Sequence, residues 1–480
     1  MIIQTVLPEM LEFFGKKPVV VEPVVEPISS DAGLLPIREF DERLRFTSGF
    51  AAQLSDARVG GTHTLLQMVR QRVFGILAGY EDQNDHDALR SDAIFKLLAG
   101  RSPGDHDLAS QPTLSRFENA VTPADLLRLE DWSLEQFVQS FDQPPAHLTL
   151  DIDLFDDPTH GQQQLTFYHG WYDQYQYLAR AITCAENDLV LFPVLLHGTA
   201  RPLLGAVPDL ARVVARLRQA WPDVRIVVRA DSGFAGPEFY AACEELQIEY
   251  TVGLGMNAVL KRRSEALLAE AVAAYEQSGQ SQRLFTAFEY QAESWDEPRW
   301  VTVKCEANAR GTNRRAVVSN RAGARVLPQA TYDEYADRGE SENRNKELKC
   351  QLSADRLSDH RYMANCFRLH MHTLACNLLV LLRRLVADPP APPAVEPDLP
   401  LEARSPRDKR RHFNQRRKAD PLGEGHACTW RTMLIKVAAR VVVSARRVRV
   451  LLSGSWPFWT FYQKVCQAVL AFPPRILSSG

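Results

Sequence analysis

A series of short apolar segments between residues 147 and 255 constrains the fold more than any other feature of the sequence. Each is rich in aliphatic or aromatic residues and ends at a polar or glycine residue, as strands buried in a sheet do. Two segments with helical spacing of apolar residues, Asp209–Trp221 and Pro237–Leu246, separate the later ones. The order is three strands, helix, strand, helix, strand, which predicts a mixed α/β sheet. The predicted strands are HLTLDID (147–153), YLARAITC (177–184), LVLFPVLLH (189–197), RIVVRAD (225–231) and EYTVGLG (249–255).

This strand order is similar to that of RNase H-like folds. We therefore predict an α/β fold class, with an RNase H-like mixed-sheet catalytic core over residues 146–386. The segments RLFTAFEY, RWVTVKCE and RRAVVSN predict an inserted, strand-rich antiparallel subdomain at about residues 256–330. Residues 31–145 precede this core and have helical periodicity, as in the amphipathic segment Thr64–Tyr80.

The segment LASQPTLSRFENAV, within the helical region, allows two interpretations. Ser115 and Glu118 have the spacing of a capping box, which predicts an ordinary capped helix. The stretch from Thr113 to Arg116 is also typical of the start of a helix-turn-helix recognition helix, in which Arg116 would contact DNA. Residues 1–30 contain the near-repeat VVVEPVVEP and are predicted to form an extended N-terminal arm.

The C-terminal part of the chain is strongly basic although the whole chain has a net charge of −3. A Pro-rich linker, predicted over residues 387–402, is followed by a basic region over residues 403–480. Residues 403–450 contain 14 Lys and Arg residues against three Asp and Glu residues. Either this is a solvated basic tail, or it binds DNA phosphates. The candidate phosphate ligands are Lys409, Arg410, Arg411, Arg416 and Arg417.

Cysteine spacing and hydropathy indicate in which cellular compartment the protein is expected. The eight cysteines form no C-x-x-C pair, which predicts free thiols in a reducing cytosol. No basic segment followed by an apolar one opens the chain, and no uninterrupted apolar run of about 18 residues occurs, so we expect neither a signal peptide nor a membrane span.

Two of the predicted strands end in acids, one in a pair and one in a single Asp. Asp151 and Asp153 are two residues apart and therefore face the same side of a strand, while Asp231 ends the Ile-Val-Val strand before Ser-Gly. Acids are disfavoured inside strands, so these residues either lie at exposed strand ends and turns or surround a cation. Hard divalent cations bind such oxygen ligands.

A third acid lies in the segment YADRGESENRNKELK. Tyr335, Arg338, Glu342 and Lys349 follow one another at intervals of three, four and seven residues, which places them along one face of a helix. A solvated helical face has the same pattern.

Together these motifs resemble the DDE transposases of bacterial insertion sequences, and in particular insertion-sequence family 1380. The spacing Tyr-x2-Arg-x3-Glu-x6-Lys matches the signature of the wider superfamily. The resemblance covers about residues 31–386 and continues at residues 431–452. Its motifs are AGYEDQNDHDALR (78–90), LASQPTLSRFEN (108–119), LDIDLFDDPTHGQQ (150–163), RADSGF (229–234), RGESENRNKE (338–347) and ANCFRLHMHTLA (364–375).

The resemblance implies a catalytic and metal-binding triad of Asp153, Asp231 and Glu342, holding two Mg²⁺ or Mn²⁺ ions. Asp151 remains the alternative to Asp153. It also implies that Tyr335, Arg338 and Lys349 contact DNA beside the cleaved phosphate. The partners would be double-stranded DNA, both terminal inverted repeats and target, and a second copy of the chain, in the bacterial cytoplasm at the nucleoid. Residues 31–145 and 403–480 would both bind DNA.

Two departures from the family pattern keep other functions open. Leu154 and Phe155 intervene before Asp156, and Asn345 stands where an apolar residue is usual, on the core side or facing solvent. A degenerate or domesticated transposase that only binds DNA, and a general RNase H-like nuclease, are the alternatives. A glycosidase would use two of the acids but not the Tyr-Arg-Glu-Lys stripe.

Overall fold

The N-terminal residues form short strands that lead into a group of helices. A computed structural model describes residues 9–11, 13, 17, 19–24, 26–58, 60–387 and 426–475. Within the predicted arm, β1 (Glu9–Leu11) pairs antiparallel with β2 (Val19–Val21), and β3 (Ile28–Ser29) follows. The helices are α1 (Leu34–Leu44), α2 (Phe46–Ala52), α3 (Leu65–Ala78), α4 (His86–Leu89), α5 (Ala93–Leu98), α6 (Gln111–Asn119) and α7 (Pro123–Val138).

Local sequence signals set the ends of α3. The Thr64 side chain accepts a hydrogen bond from the backbone N–H of Gln67, whose side chain accepts one from the Thr64 N–H, and this forms a complete capping box. The helix ends where Gly79 adopts a φ of 90°, a left-handed conformation that glycine tolerates. The apolar face of α3 is buried, as its periodicity predicts.

The capping box predicted for Ser115 and Glu118 is wrong. Helix α6 begins four residues earlier, at Gln111, so Ser115 lies inside it. Glu118 is fully buried and binds two guanidinium groups, with its oxygens 2.7 Å from Arg72 Nε and 2.5 Å from Arg368 Nε. The spacing of the two residues suits a cap, but the ion pairs to distant parts of the chain determine where this acid lies.

The central strands form the predicted mixed α/β sheet. β4 pairs in parallel with β8, β8 pairs in parallel with β9, and β6 pairs antiparallel with β4 and β7. The short β5, which the sequence did not predict, pairs with β6. The elements are β4 (His147–Pro158), β5 (Phe167–His169), β6 (Gln174–Cys184), β7 (Val190–Leu196), α8 (Ala206–Ala220), β8 (Arg225–Ala230), α9 (Pro237–Glu245) and β9 (Glu249–Leu254).

The strand-rich segment that follows continues the same sheet. Helices α10 (Ala258–Arg263) and α11 (Glu265–Ser278) precede three antiparallel strands, β10 (Gln282–Tyr290), β11 (Arg299–Asn308) and β12 (Gly311–Ser319). Because β12 pairs antiparallel with β9, the order across the sheet is β10-β11-β12-β9-β8-β4-β6-β5, with β7 beside β6. The antiparallel arrangement agrees with the sequence analysis, whereas the division into domains stays a prediction.

Helices α12 (Pro328–Ala336) and α13 (Gly339–Lys346) lead through the π-helical turn Glu347–Gln351 to the long helix α14 (Tyr362–Val386). By length and composition alone α14 could cross a membrane, but 78% of its most apolar stretch is buried inside the protein, as in a core helix. Helix α14 packs against both α3 and β7, so it joins the helical region to the sheet.

The C-terminal segment packs onto the N-terminal one. It contains α15 (Ala427–Trp430), β13 (Ala439–Ser444), β14 (Arg447–Leu452) and α16 (Trp459–Ala471), and β13 pairs with both β14 and β3. One apolar core extends from α1 through the sheet to α16. The predicted linker and the most basic segment, with Lys409, Arg410, Arg411, Arg416 and Arg417, lie outside the described residues apart from residue 387 of the linker.

Candidate active site

Two of the predicted catalytic acids lie side by side where two parallel strands stop pairing. The predicted end of the first strand at Asp153 is wrong, because β4 continues to Pro158 and Asp153 pairs with Ala181 of β6. Strands β4 and β8 are parallel, and their last register pair is Ile152 with Ala230. The next residues are Asp153 and Asp231, so both acids lie at the same edge. The Asp231 carboxylate accepts a hydrogen bond from the Gly233 N–H at 2.8 Å and caps the turn Ser232–Phe234. Burial, and then the negative charge of Asp153, raise the pKa of Asp231.

Asp151 is occupied by a different partner. Arg229, its register neighbour on β8, donates from Nε and from a terminal nitrogen to the two Asp151 oxygens, each at 2.7 Å. Both side chains are buried, and a further Arg229 nitrogen donates to the Glu334 carbonyl at 2.8 Å. Burial raises the pKa of Asp151 despite this pair. This bidentate pair balances the charge of Asp151 inside the sheet, and the choice between Asp151 and Asp153 as the first ligand stays a prediction.

The guanidinium of Arg338 lies between the first and third predicted acids. One terminal nitrogen donates to Asp153 Oδ2 at 3.0 Å and the other to Glu342 Oε1 at 2.9 Å. Arg338 immediately precedes α13, and its side chain is 10% exposed, whereas the Glu342 side chain is 60% exposed. Burial by itself would lower the pKa of Arg338, but the nearby carboxylates raise it overall.

Asn345 also binds the first acid. Its Nδ2 donates to Asp153 Oδ2 at 3.1 Å, and the residue is 6% exposed. The sequence marked this residue as a departure from the family pattern and left its environment open. The structure places it on the buried side of α13.

Tyr335 lies against the strand that neighbours Asp231. A Cβ atom added at Gly253 in β9 would come within 2.6 Å of the Tyr335 hydroxyl and 3.0 Å of the Ser232 nitrogen, so this close approach requires glycine. Burial raises the pKa of Tyr335. The predicted contact between Tyr335 and DNA stays a prediction.

Lys349 is held at the same edge of the sheet by an acid from the first-acid motif. It lies in the π-helical turn after α13, and its Nζ is 2.5 Å from Asp156 Oδ1. Burial tends to raise the pKa of Asp156, but the ion pair with Lys349 lowers it overall. The neighbouring Asp157 is fully buried, and its Oδ2 has no hydrogen-bond partner among the described residues. The insertion of Leu154 and Phe155 thus leaves Asp156 paired with the signature lysine.

An aromatic hairpin borders these residues. The turn between β5 and β6 carries Trp171, which is 87% exposed. Tyr172, next to it, has its pKa raised by burial and then by the charge of Asp156, and Asp231 and Asp153 act on it more weakly. The sequence analysis did not select this hairpin, although the density of aromatic residues in FYHGWYDQYQY is a signal that could have identified it. Its other exposed aromatic residues are Phe167, Tyr168 and Tyr175.

Arg116 lies outside this group. It is exposed on α6, where a terminal nitrogen donates to the Thr113 hydroxyl at 3.2 Å. Its predicted contact with DNA stays a prediction, as do those of the basic residues beyond the described part of the chain.

The oxygen atoms of the predicted ligands suit a hard divalent cation, although the three acidic side chains do not meet at a common point. Among the residues that the structure describes, no group of three His, Cys, Asp or Glu side chains could hold a metal ion. The reason is visible in the contacts, because Arg338 occupies the space between Asp153 and Glu342. The available oxygens belong to the carboxylates of Asp153, Asp231 and Glu342. The carboxamide oxygen of Asn345 is also buried nearby and has no hydrogen-bond partner in the described structure. Such oxygens are the ligands that Mg²⁺ and Mn²⁺ prefer.

The fold and the site define an α/β protein with two acids just past the point where two parallel strands stop pairing and a glutamate-bearing helix beside them. The chain belongs to the family described as "Transposase DDE domain group 1", whose model matches residues 12–393. It is therefore a DDE-type transposase, a class of enzyme that cleaves and transfers DNA.

Comparison with solved structures finds several similar chains. A cryo-EM structure of a piggyBac transposase synaptic complex with hairpin DNA matches 82% of this chain and 80% of its own, at 12% sequence identity and a TM-score of 0.38. No curated protein matches the sequence.

Proposed function

We propose that this transposase binds the terminal inverted repeats of a bacterial insertion sequence of family 1380, cuts the DNA there, and joins the freed ends to target DNA. The observation that carries the proposal is the common position of Asp153, Asp231 and the Arg338–Glu342 pair at one edge of the sheet. We also propose that the sheet is RNase H-like. The enzyme would act in the bacterial cytoplasm at the nucleoid.

The chemistry needs little covalent participation by the protein. Two divalent cations held by Asp153, Asp231 and Glu342 would supply Lewis-acid activation of the attacking oxygen and stabilise the charge on the leaving oxygen. In the first step, water attacks the phosphorus at the element boundary, the bond to the 3′ oxygen breaks, and a 3′-hydroxyl and a 5′-phosphate result. In the second step, that 3′-hydroxyl attacks a target phosphate and displaces its 3′ oxygen.

The basic residues of the signature would position the DNA. When DNA binds, Arg338 would exchange its hydrogen bonds to Asp153 and Glu342 for hydrogen bonds to phosphate oxygens. A guanidinium can bind a phosphate through two hydrogen bonds, as it can a carboxylate. Lys349 is held over the same edge by Asp156 and contributes a positive charge beside the cleaved phosphate. The Tyr335 hydroxyl lies against Gly253 in the strand next to Asp231, and from there Tyr335 would contact the DNA beside the cleaved phosphate.

Recognition of the element end requires further surface. The exposed aromatic hairpin around Trp171 offers flat faces on which unpaired bases stack. We propose that residues 31–145, including Arg116, and residues 403–480 bind the repeat. Because two ends must be brought together, the active assembly would be a homodimer on DNA.

A joining assay distinguishes this function from the alternatives. A labelled duplex that carries the inverted repeat flanking the gene is incubated with the full-length protein, Mg²⁺ and a supercoiled plasmid. Cleavage at the repeat boundary followed by covalent joining to the plasmid supports a transposase. Cleavage without regard to the repeat indicates a general nuclease, and binding of the repeat without cleavage indicates a degenerate copy that only binds DNA.

A further inference from the structure

We propose that Asn345 is a positioning residue of the active site, which holds the Asp153 carboxylate in place for a cation through the hydrogen bond that its Nδ2 donates. This inference rests on the proposed function. It concerns a residue that departs from the family pattern, in which an apolar residue is usual.

The contacts of Asp153 identify the residues that orient it. Its Oδ2 accepts two hydrogen bonds, one from Arg338 at 3.0 Å and one from Asn345 Nδ2 at 3.1 Å. Its Oδ1 accepts only the backbone N–H of the next residue, Leu154, at 2.9 Å among the described contacts. The two side chains on α13 and at its start therefore fix the direction of this carboxylate.

Only one of these two side chains is compatible with a bound cation. The Arg338 guanidinium is positively charged and also binds Glu342, so it occupies the place between two predicted ligands and repels a divalent ion. The Asn345 carboxamide is neutral, so it can keep its hydrogen bond to Asp153 when a cation binds the same carboxylate. Ligating carboxylates are commonly held by such a hydrogen bond from a residue behind them.

The rest of the Asn345 side chain supports the same role. The residue is 6% exposed, and its Oδ1 has no hydrogen-bond partner within the part of the chain that the structure describes. A buried amide oxygen without a partner is unfavourable, so an apolar residue would suit a purely structural position better. Glu342 and Asn345 are three residues apart on α13 and so share a face of that helix, and the Nδ2 of Asn345 is the atom that meets Asp153.

The test measures metal binding rather than catalysis. Mn²⁺ alone is titrated into the full-length protein without DNA, and the electron paramagnetic resonance signal of free Mn²⁺ gives the dissociation constant. The variants are Asn345→Leu and, in case Leu prevents folding, Asn345→Ala. Asn343→Leu makes the same change at an exposed position of α13 and serves as the matched control. Thermal unfolding of each protein is measured in parallel.

We expect the Asn345 variants to bind Mn²⁺ about tenfold more weakly, with an unfolding temperature equal to that of the wild type or higher. Asn343→Leu should bind Mn²⁺ as the wild type does. Unchanged Mn²⁺ affinity in the Asn345 variants would overturn the inference and leave the proposed function intact. Absence of Mn²⁺ binding by the wild type beyond that of Asp231→Asn would also overturn the inference, while the joining assay tests the proposed function separately.

Discussion

Asp151 and Arg229 form a buried bidentate ion pair across two parallel strands, with both nitrogen–oxygen distances at 2.7 Å. This pair holds the first acid of the LDID motif inside the sheet. Asp153, two residues further along β4, lies beside Asp231 just past the point where β4 and β8 stop pairing.

Asp151→Asn should therefore reduce the stability of the fold. The change leaves the Arg229 charge buried without its counterion, which costs about 3–5 kcal/mol. Urea denaturation measures the loss. The double variant Asp151→Asn with Arg229→Met should recover much of it, since apolar groups can replace a buried pair at little cost. A single Asp151→Asn protein with wild-type stability and no cleavage activity would instead identify Asp151 as a metal ligand.

Arg338→Met should strengthen metal binding while it weakens catalysis. Without the guanidinium between Asp153 and Glu342, the DNA-free protein should bind Mn²⁺ about tenfold more tightly. A change of this size is typical when one bound group alters the affinity for another. Cleavage of DNA should nevertheless fall, because a phosphate contact is lost. Lys346→Met removes the same charge from an exposed position of α13 and is the control for Mn²⁺ titration. Equal Mn²⁺ affinities in the wild type, Arg338→Met and Lys346→Met would show that Arg338 does not hinder cation binding by the acids.

Trp171→Ala should weaken DNA binding without affecting folding. The side chain is 87% exposed, so its removal costs little packing, whereas stacking on one base contributes about 1–3 kcal/mol. We expect the affinity for a single-stranded oligonucleotide, measured by fluorescence anisotropy, to fall about tenfold. Trp171→Phe should retain most of it. Equal binding by the Ala variant and the wild type would rule out the hairpin as a DNA contact.

The buried histidines of α14 should make the protein sensitive to acid. Burial lowers the pKa of His370 to about 4 and that of His372 to about 3. In the unfolded chain both titrate near 6.5, so the unfolded state binds more protons between these values and stability falls as the pH decreases. At pH 5 the loss is on the order of 2 kcal/mol for each histidine.

Urea denaturation at pH 7 and at pH 5 tests whether the stability falls as the pH decreases. His370→Leu should lose less stability than the wild type between these two pH values, whereas His106→Leu, at an exposed position, should lose as much as the wild type. A pH dependence that is the same in all three proteins would contradict the assignment.

The sheet was predictable because its signals are local. Runs of β-branched residues predicted the strands of residues 147–255 in their order. The parallel pairing of β4 and β8 then brings Asp153 and Asp231 together. The short β5 was missed because only pairing with β6 defines it.

Partners distant in sequence were not predictable. Asp151 and Asp153 share a face, and only the pairing with Arg229, 78 residues away, separates their roles. Glu118 has the local spacing of a cap, yet it pairs with Arg72 and with Arg368, which is 250 residues distant. Asn345 was identifiable as unusual, but the hydrogen bond that explains it joins residues 192 positions apart.

The central claim is that Asp231 and Glu342 take part in cutting DNA at the element end. The most direct measurement is the single-turnover cleavage rate, in Mg²⁺, of a labelled duplex carrying the inverted repeat, for wild type, Asp231→Asn and Glu342→Gln. Asp223→Asn makes the same change at an exposed position just before the opposite end of β8 and is the control. We predict cleavage at the repeat boundary by the wild type and the control, and a loss of at least about a hundredfold in the two site variants, with unchanged DNA binding. Cleavage by either site variant at the wild-type rate would contradict the account.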